Sequence, residues 1–447
     1  MGNPLAGRNP DGDAGLGAWI ERVSGLRERP GYGFFGSRPG LLLGLALAGL
    51  ATLGAASWSL SVGRPGHRSD RTVVAADPDD AVVPTWLVQT ASRGFVYPGT
   101  LNLAWPSGGS AAIEVEGMGL LGHSGSMTSR HAIASITKTL TAYVILKDHP
   151  LSATAPGPTI TLTKAMAAEY DDAIQDDESA VVTSVGERIT ERQALEALLL
   201  ASAGNMADIL ALWDRGSVGA FLSEMNAQAR ALGMTRSTFT DPAGLADSTV
   251  STMGDLLELA EAVQRVPALT AVVAETSATI PVAGTVYNVD RDLGSYGIDG
   301  IKTGTTAAAG SCLLFSAHVQ VGGHTLTVLG VVLGMPGSSG IPYTALNAAL
   351  RLVASAEAQI GQATVARTGE AVAALEQGDA KVAELGVADS LAVVGWPGLE
   401  YRVAVGGTAS AATLSVTRTG GSPASASIPL LRLVSRASTA GKSTRTG

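Results

Sequence analysis

The sequence predicts an α/β unit preceded by a membrane helix and followed by a small β domain. Between residues 101 and 361, segments with apolar residues near 3.6 spacing alternate with short apolar runs of strand character. Residues 41–60 form a run of twenty without a charge. After about residue 362 the texture changes to short β-type runs and turns, such as Val403-Ala404-Val405 and Ala412-Thr413-Leu414-Ser415-Val416. At 447 residues the chain can bury a sizeable core and hold two folded units plus flanks.

Taken in order, residues 1–40 are rich in Gly, Pro and Arg and read as a disordered cytoplasmic tail. The apolar run 41–60 is long enough to cross a bilayer of about 30 Å. Arg22, Arg27, Arg29 and Arg38 precede it and Arg64, Arg68 and Arg71 follow, so the positive-inside rule favours a cytoplasmic N-terminus only weakly. A cleaved signal peptide is the competing reading. Some forty residues precede the apolar run and no clean A-x-A site follows, which favours an uncleaved single-pass anchor with the rest of the chain outside the cytoplasm. Residues 61–95 read as a polar linker, 96–361 as the α/β unit, 362–435 as the β domain and 436–447 as a disordered tail.

Within the α/β unit, Ala111–Glu116 suits a strand and Gly117 a turn into another. Ala134–Leu146 has helical spacing at Ile136, Leu140, Val144 and Ile145. Thr190-Glu191-Arg192-Gln193 is a capping box that opens a helix running through Leu200. Phe221–Leu232, closed by Gly233, and a segment after Thr252 are further helices. Ile298–Thr305, Leu313–Val319 and Leu326–Leu333 fit strands, and Tyr343–Ile360 a long closing helix.

Composition excludes several functions. A formal charge of −9 offers no clustered basic face for nucleic acid. The single cysteine, Cys312, permits no intramolecular disulfide and lies in an apolar strand-like run, as a small buried hydrophobe would. The six histidines show no metal-ligand spacing, so no metal and no cofactor are expected. The acidic run Glu169, Asp171, Asp172, Asp176, Asp177 and Glu178 reads as a solvated loop or helix face.

Two motifs carry chemistry. Ser135-Ile136-Thr137-Lys138 is the one S-x-x-K in the chain, and uses one of only six lysines. Residues three apart on a helix share a face, so Lys138 can reach Ser135. A serine hydroxyl needs a base, and lysine serves as one only when desolvation or a nearby cation lowers its pKa. A second lysine lies 167 residues later in Lys302-Thr303-Gly304, on a predicted strand, and would be such a cation. A substrate peptide can pair along an exposed strand edge where glycine removes an obstructing side chain.

With these two motifs the chain resembles the serine D-alanyl-D-alanine carboxypeptidases of the low-molecular-mass penicillin-binding class, particularly those of actinobacteria. Residues 141–151, Met225–Met234 and Phe239-Thr240-Asp241-Pro242-Ala243-Gly244-Leu245 extend the likeness over about residues 105–360. The resemblance implies a β-lactamase/transpeptidase-like fold, an antiparallel sheet flanked by helices. It implies Ser135 as nucleophile and Lys138 as its proton acceptor. Lys302 and Thr303 would hold the substrate's terminal carboxylate, and the backbone N–H groups of Ser135 and Thr305 would form the oxyanion hole. The implied partners are peptidoglycan stem peptides ending in D-Ala-D-Ala and β-lactam antibiotics. One departure stands out. Ser202 matches the serine of the family's S-x-N motif, and is counted with the catalytic residues, but Gly204 occupies the asparagine position. Asn205, next in the chain, is the candidate to swing in and bind substrate. Loss of such a polar group costs about 1–3 kcal/mol.

Three rival readings follow. A class A β-lactamase would add an E-x-x-x-N glutamate past the second motif, but residues 235–244 contain no glutamate. A catalytically impaired wall-binding or scaffold protein would explain Gly204 but not the retained Ser135, Lys138 and Lys302. A Ser-His-Asp hydrolase lacks a G-x-S-x-G, and His131 reads as a solvent or packing residue.

Overall fold

A computed structural model describes residues 72–74, 87–88, 92–337, 343–377, 380–408, 411–419 and 425–434. The expected tails at 1–40 and 436–447, and the expected membrane helix at 41–60, lie outside the described residues. Among the described residues no helix is long and apolar enough to cross a membrane.

The α/β unit is built on a five-stranded antiparallel sheet. Its strand order is Ile298–Thr306, Gly310–Val321, His324–Met335, Ser110–Val115 and Gly119–Ser124. Side chains alternate along a strand, and here both faces are apolar. Cys312 and Leu314 enter one core with Leu329 and Val331, while Leu313, Phe315 and Ala317 enter a second with Val328 and Val332. The sheet is therefore buried on both sides, which explains why its long strands read as near-continuous apolar runs.

Most of the helices cover the first face: α1 (Thr137–Asp148), α2 (Lys164–Gln175), α3 (Glu191–Leu199), α4 (Gly204–Arg215), α5 (Val218–Ala231), α6 (Met253–Gln264) and α7 (Pro267–Val273). The last helix, α8 (Tyr343–Glu357), packs Leu346, Leu352 and Val353 on the second face. The capping box at Thr190 and Gln193 forms as its spacing predicts. The expected helix at Ala134 instead begins with a 3-10 turn, Ala134–Ile136, and becomes α-helical only at Thr137. Three helices escaped the periodicity. α2 fully buries only Ala173, α4 opens on Gly204-Asn205, and α7 is only seven residues long.

The segment expected as linker is partly built into the β domain. Thr72–Val74 pairs with Ser425–Val434, Leu87–Val88 with Ala371–Gln377, and Ser92–Val96 with Glu400–Thr408. Sequence distance hides such pairing, because the partners stand about 300 residues apart. The β domain has its own core around Val387, Leu414 and Val416. Its Trp396 is buried in the same cluster as Leu352 and Val353 of α8.

Candidate active site

Ser135 lies in the 3-10 turn that leads into α1, and Lys138 is the second residue of that helix. Ala134, just before the serine, is held at φ +48°, a conformation that costs about 1–3 kcal/mol for a residue with a Cβ. Lys138 Nζ stands 3.0 Å from Ser135 Oγ. Its other neighbours are Ala243 O at 3.0 Å and Glu178 Oε1 at 3.3 Å. As an ammonium, Lys138 donates one N–H to each of these three acceptors; in its neutral form two N–H groups would still serve Ala243 and Glu178, leaving the lone pair for the Ser135 hydroxyl proton.

The lysine is fully buried, while Ser135 is half-buried. Burial pulls the Lys138 pKa below the ordinary lysine value, and Glu178, Asp241 and Asp208 push it back up. Of the two causes the sequence offered, desolvation or a nearby cation, burial is the first at Lys138, and the repulsion between the two lysines is felt at Lys302, whose pKa falls to about 7 through burial and then through Lys138.

The Ala243 carbonyl is delivered by a loop that one carboxylate organises. Asp241 accepts from the backbone N–H groups of Ala243 (2.9 Å), Gly244, Leu245 (3.0 Å) and Ala246 (3.1 Å), and from Thr249 Oγ1 (2.6 Å). Thr141 of α1 donates to the neighbouring Pro242 carbonyl at 2.7 Å. Gly244 has φ +85°, and a Cβ there would overlap the Ala134 carbonyl. The loop is thus packed directly onto the turn that presents Ser135.

The strand Ile298–Thr306 is an edge of the five-stranded sheet and runs beside that same turn. A Cβ on Gly304 would come within 2.9 Å of Ile133 O and 3.1 Å of Ser135 N. Glycine is therefore needed here for the strand's approach to the backbone of Ile133 and Ser135, a constraint distinct from the substrate clearance expected from the sequence. Lys302 is 2% exposed and donates to Thr303 O (3.0 Å) and Thr303 Oγ1 (3.4 Å). Thr305 Oγ1 is buried with no hydrogen-bond partner.

Ser202 sits between α3 and α4 at φ +60°, 7% exposed. Asn205 does not turn toward the site. It is fully buried, and its amide clamps the backbone of Val181, accepting from the N–H at 3.2 Å and donating to the carbonyl at 2.9 Å. The expectation that Asn205 binds substrate is corrected: both ends of its amide are already engaged by a segment 24 residues upstream. The acidic run also needs correction. Asp171, Asp172, Asp176 and Asp177 are exposed as expected, but the Glu178 side chain is only 11% exposed and meets Lys138.

Residues 119–336 match the family described as D-alanyl-D-alanine carboxypeptidase. The chain is 30% identical over 231 residues to a D-alanyl-D-alanine endopeptidase of Pseudomonas aeruginosa, covering 49% of this chain and 70% of that relative. It is 32% identical over 220 residues to a D-alanyl-D-alanine carboxypeptidase of Mycobacterium tuberculosis, covering 48% of this chain and 70% of that one. The chain belongs to the D-alanyl-D-alanine carboxypeptidase family. The fold also matches crystal structures of penicillin binding protein 5 from Haemophilus influenzae, with a TM-score of 0.52 at 19% identity over 76% of this chain and 99% of that one.

The matched segment of this carboxypeptidase-family chain contains Ser135, Lys138, Ser202 and Lys302. Three further residues of the site carry no motif of their own: Glu178, Asp241 and Ala243. Asp241 lies in a stretch that resembles the family, yet only the structure shows what its carboxylate holds. Cys312 is buried, with its thiol pKa pushed up to about 11 by that burial, which makes it an inert packing residue. Among the described residues no cluster of metal-binding side chains occurs.

Proposed function

We propose that the chain is a serine-type D-Ala-D-Ala carboxypeptidase that trims peptidoglycan stem peptides through an acyl-enzyme on Ser135, and that penicillins acylate the same serine. The observation that carries this reading is the 3.0 Å contact between Ser135 Oγ and the buried Lys138 Nζ, beside an edge strand bearing Lys302. The substrate peptide would add to the free edge of Ile298–Thr306, with Lys302 and Thr303 binding its terminal carboxylate. Ser135 Oγ attacks the carbonyl carbon of the penultimate D-alanine as its proton passes to Lys138. The backbone N–H groups of Ser135 and Thr305 take the developing oxyanion. The C–N bond then breaks, the departing D-alanine amine takes up a proton, and water hydrolyses the ester.

The twenty uncharged residues 41–60, with arginines on both sides, support an uncleaved single-pass anchor that holds this unit outside the cytoplasmic membrane.

The test is to incubate the protein with a penicillin and with a peptide ending in D-Ala-D-Ala. Expected are an adduct of one penicillin mass on the tryptic peptide containing Ser135, and release of D-alanine. Absence of both from folded protein overturns the reading.

Lys302 sets a further expectation. With its pKa near 7 in the free protein, it is a cation below that pH and neutral above it. Affinity for a carboxylate therefore declines as pH rises through about 7. Acylation by a penicillin should show this descending limb, and acylation by the corresponding penicillin ester should not. Identical limbs for acid and ester would remove Lys302 from carboxylate binding.

A further inference from the structure

Gly204, the first residue of α4, carries no side chain at the position where the family has the asparagine of S-x-N, yet the space beside it is filled. A Cβ on Gly204 would overlap the carboxyl carbon and both carboxyl oxygens of Glu178. The same carboxylate lies 3.3 Å from Lys138 Nζ. We infer that Glu178 takes the place of the missing asparagine as the residue that positions Lys138, the glycine and the glutamate forming one exchanged unit. This rests on the acyl-transfer reading above and gives it a component supplied by a different segment of the chain.

The backbone is arranged to put the carboxylate there. α2 ends in a Schellman motif: Asp177 is left-handed at φ +55°, the Glu178 N–H donates to Ala173 O at 2.9 Å, and the Asp177 N–H to Ile174 O at 3.3 Å. On the other side of Glu178, the Gly204 N–H donates to Ser179 O at 2.6 Å and Asn205 clamps Val181. Glu178 is therefore tied through its neighbours to both α2 and α4. Asn205, whose amide is engaged at both ends by Val181, holds the segment that carries the replacement.

The chemistry is sufficient for the role. With Glu178 and Ala243 accepting two N–H groups, the Lys138 lone pair points to Ser135, as an asparagine oxygen would also arrange. A carboxylate differs from an amide in charge, so it holds the lysine proton to higher pH. Other charged groups face Lys138 from α4 (Asp208), from the 241–246 loop (Asp241) and from the edge strand (Lys302), with Glu169 of α2 beyond Asp208. All of these stay in place when Glu178 alone is changed.

The experiment measures the penicillin acylation rate from pH 5 to 10 for the wild type, Glu178→Gln, Glu178→Ala, Gly204→Asn and the double variant Glu178→Ala/Gly204→Asn. Glu178→Gln keeps the shape and removes the charge, and its acid limb is expected to move to lower pH by about one unit. Glu178→Ala loses the partner and is expected to be at least about tenfold slower at its plateau. Gly204→Asn alone, colliding with Glu178, should also be slow, whereas the double variant restores the amide and should return to within about fivefold of wild type. An acid limb unmoved in Glu178→Gln, with a rate within twofold of wild type in Glu178→Ala, overturns the inference while leaving the acyl-transfer reading intact. A double variant no faster than Glu178→Ala overturns the exchange. A wild type that takes up no penicillin overturns the acyl-transfer reading and this inference with it.

Discussion

Replacing Lys138 by methionine is expected to slow penicillin acylation about 10³-fold, while Ser135→Ala abolishes it. The two losses differ in kind. Without Oγ no covalent bond can form, so Ser135→Ala should give no adduct at any time. Without Nζ, the hydroxyl remains within reach of the bound penicillin but has no group to take its proton; the contacts that Nζ makes to Ser135, Glu178 and Ala243 all vanish together. Methionine preserves much of the volume in a fully buried position, limiting the cavity that alanine would leave. It also strands the Glu178 carboxylate, so some loss of stability is expected. Stopped-flow acylation together with denaturant unfolding separates the two effects. A folded Lys138→Met that acylates within tenfold of wild type would remove Lys138 from the proton transfer.

Asp241→Ala is expected to destabilise the protein by about 3 kcal/mol and to slow acylation at least about tenfold. One carboxylate satisfies four backbone N–H groups and the Thr249 hydroxyl. Hydrogen bonds to a charged acceptor contribute about 1.5–3 kcal/mol each, but these share one atom pair and one loop, so their sum overstates the loss. The consequence for acylation follows from position. The loop supplies Ala243 O to Lys138 and Pro242 O to Thr141, and it packs Gly244 on the Ala134 carbonyl. Once it loosens, the lysine loses an acceptor and the nucleophile's turn loses its support. Urea midpoints and acylation rates measured on the same samples check both halves. An unchanged midpoint would mean that the loop is held by its packing alone. Asp241→Asn, which keeps one acceptor oxygen, should fall between the two.

The features legible in the sequence were those with a local cause. Ser135 and Lys138 are three residues apart, and any helical path from one to the other brings them together. The capping box at Thr190, the strands at Leu313–Val319 and Leu326–Leu333 and the closing helix at Tyr343 were likewise set by neighbours in the chain. Lys302 was found from a motif, and its placement on an edge strand agrees with the reading of the residues around it.

What was not legible has non-local causes. Asn205 stands beside a catalytic motif, and proximity in sequence suggested substrate contact, yet its amide is occupied by Val181. Glu178 belongs to an acidic run whose four aspartates are exposed, and nothing in its neighbours sets it apart. The strands at 72–96 looked like linker because their partners lie in the last eighty residues of the chain.

By itself, then, the sequence determined the Ser135–Lys138 pair, the lysine strand and the family, because each is written in a short pattern whose geometry the backbone dictates. It also exposed the gap at Gly204. Only the tertiary structure decided what fills that gap. The occupant comes from 26 residues upstream, and its position depends on a helix end, a clamped backbone segment and the absence of a single Cβ, acting together across three elements.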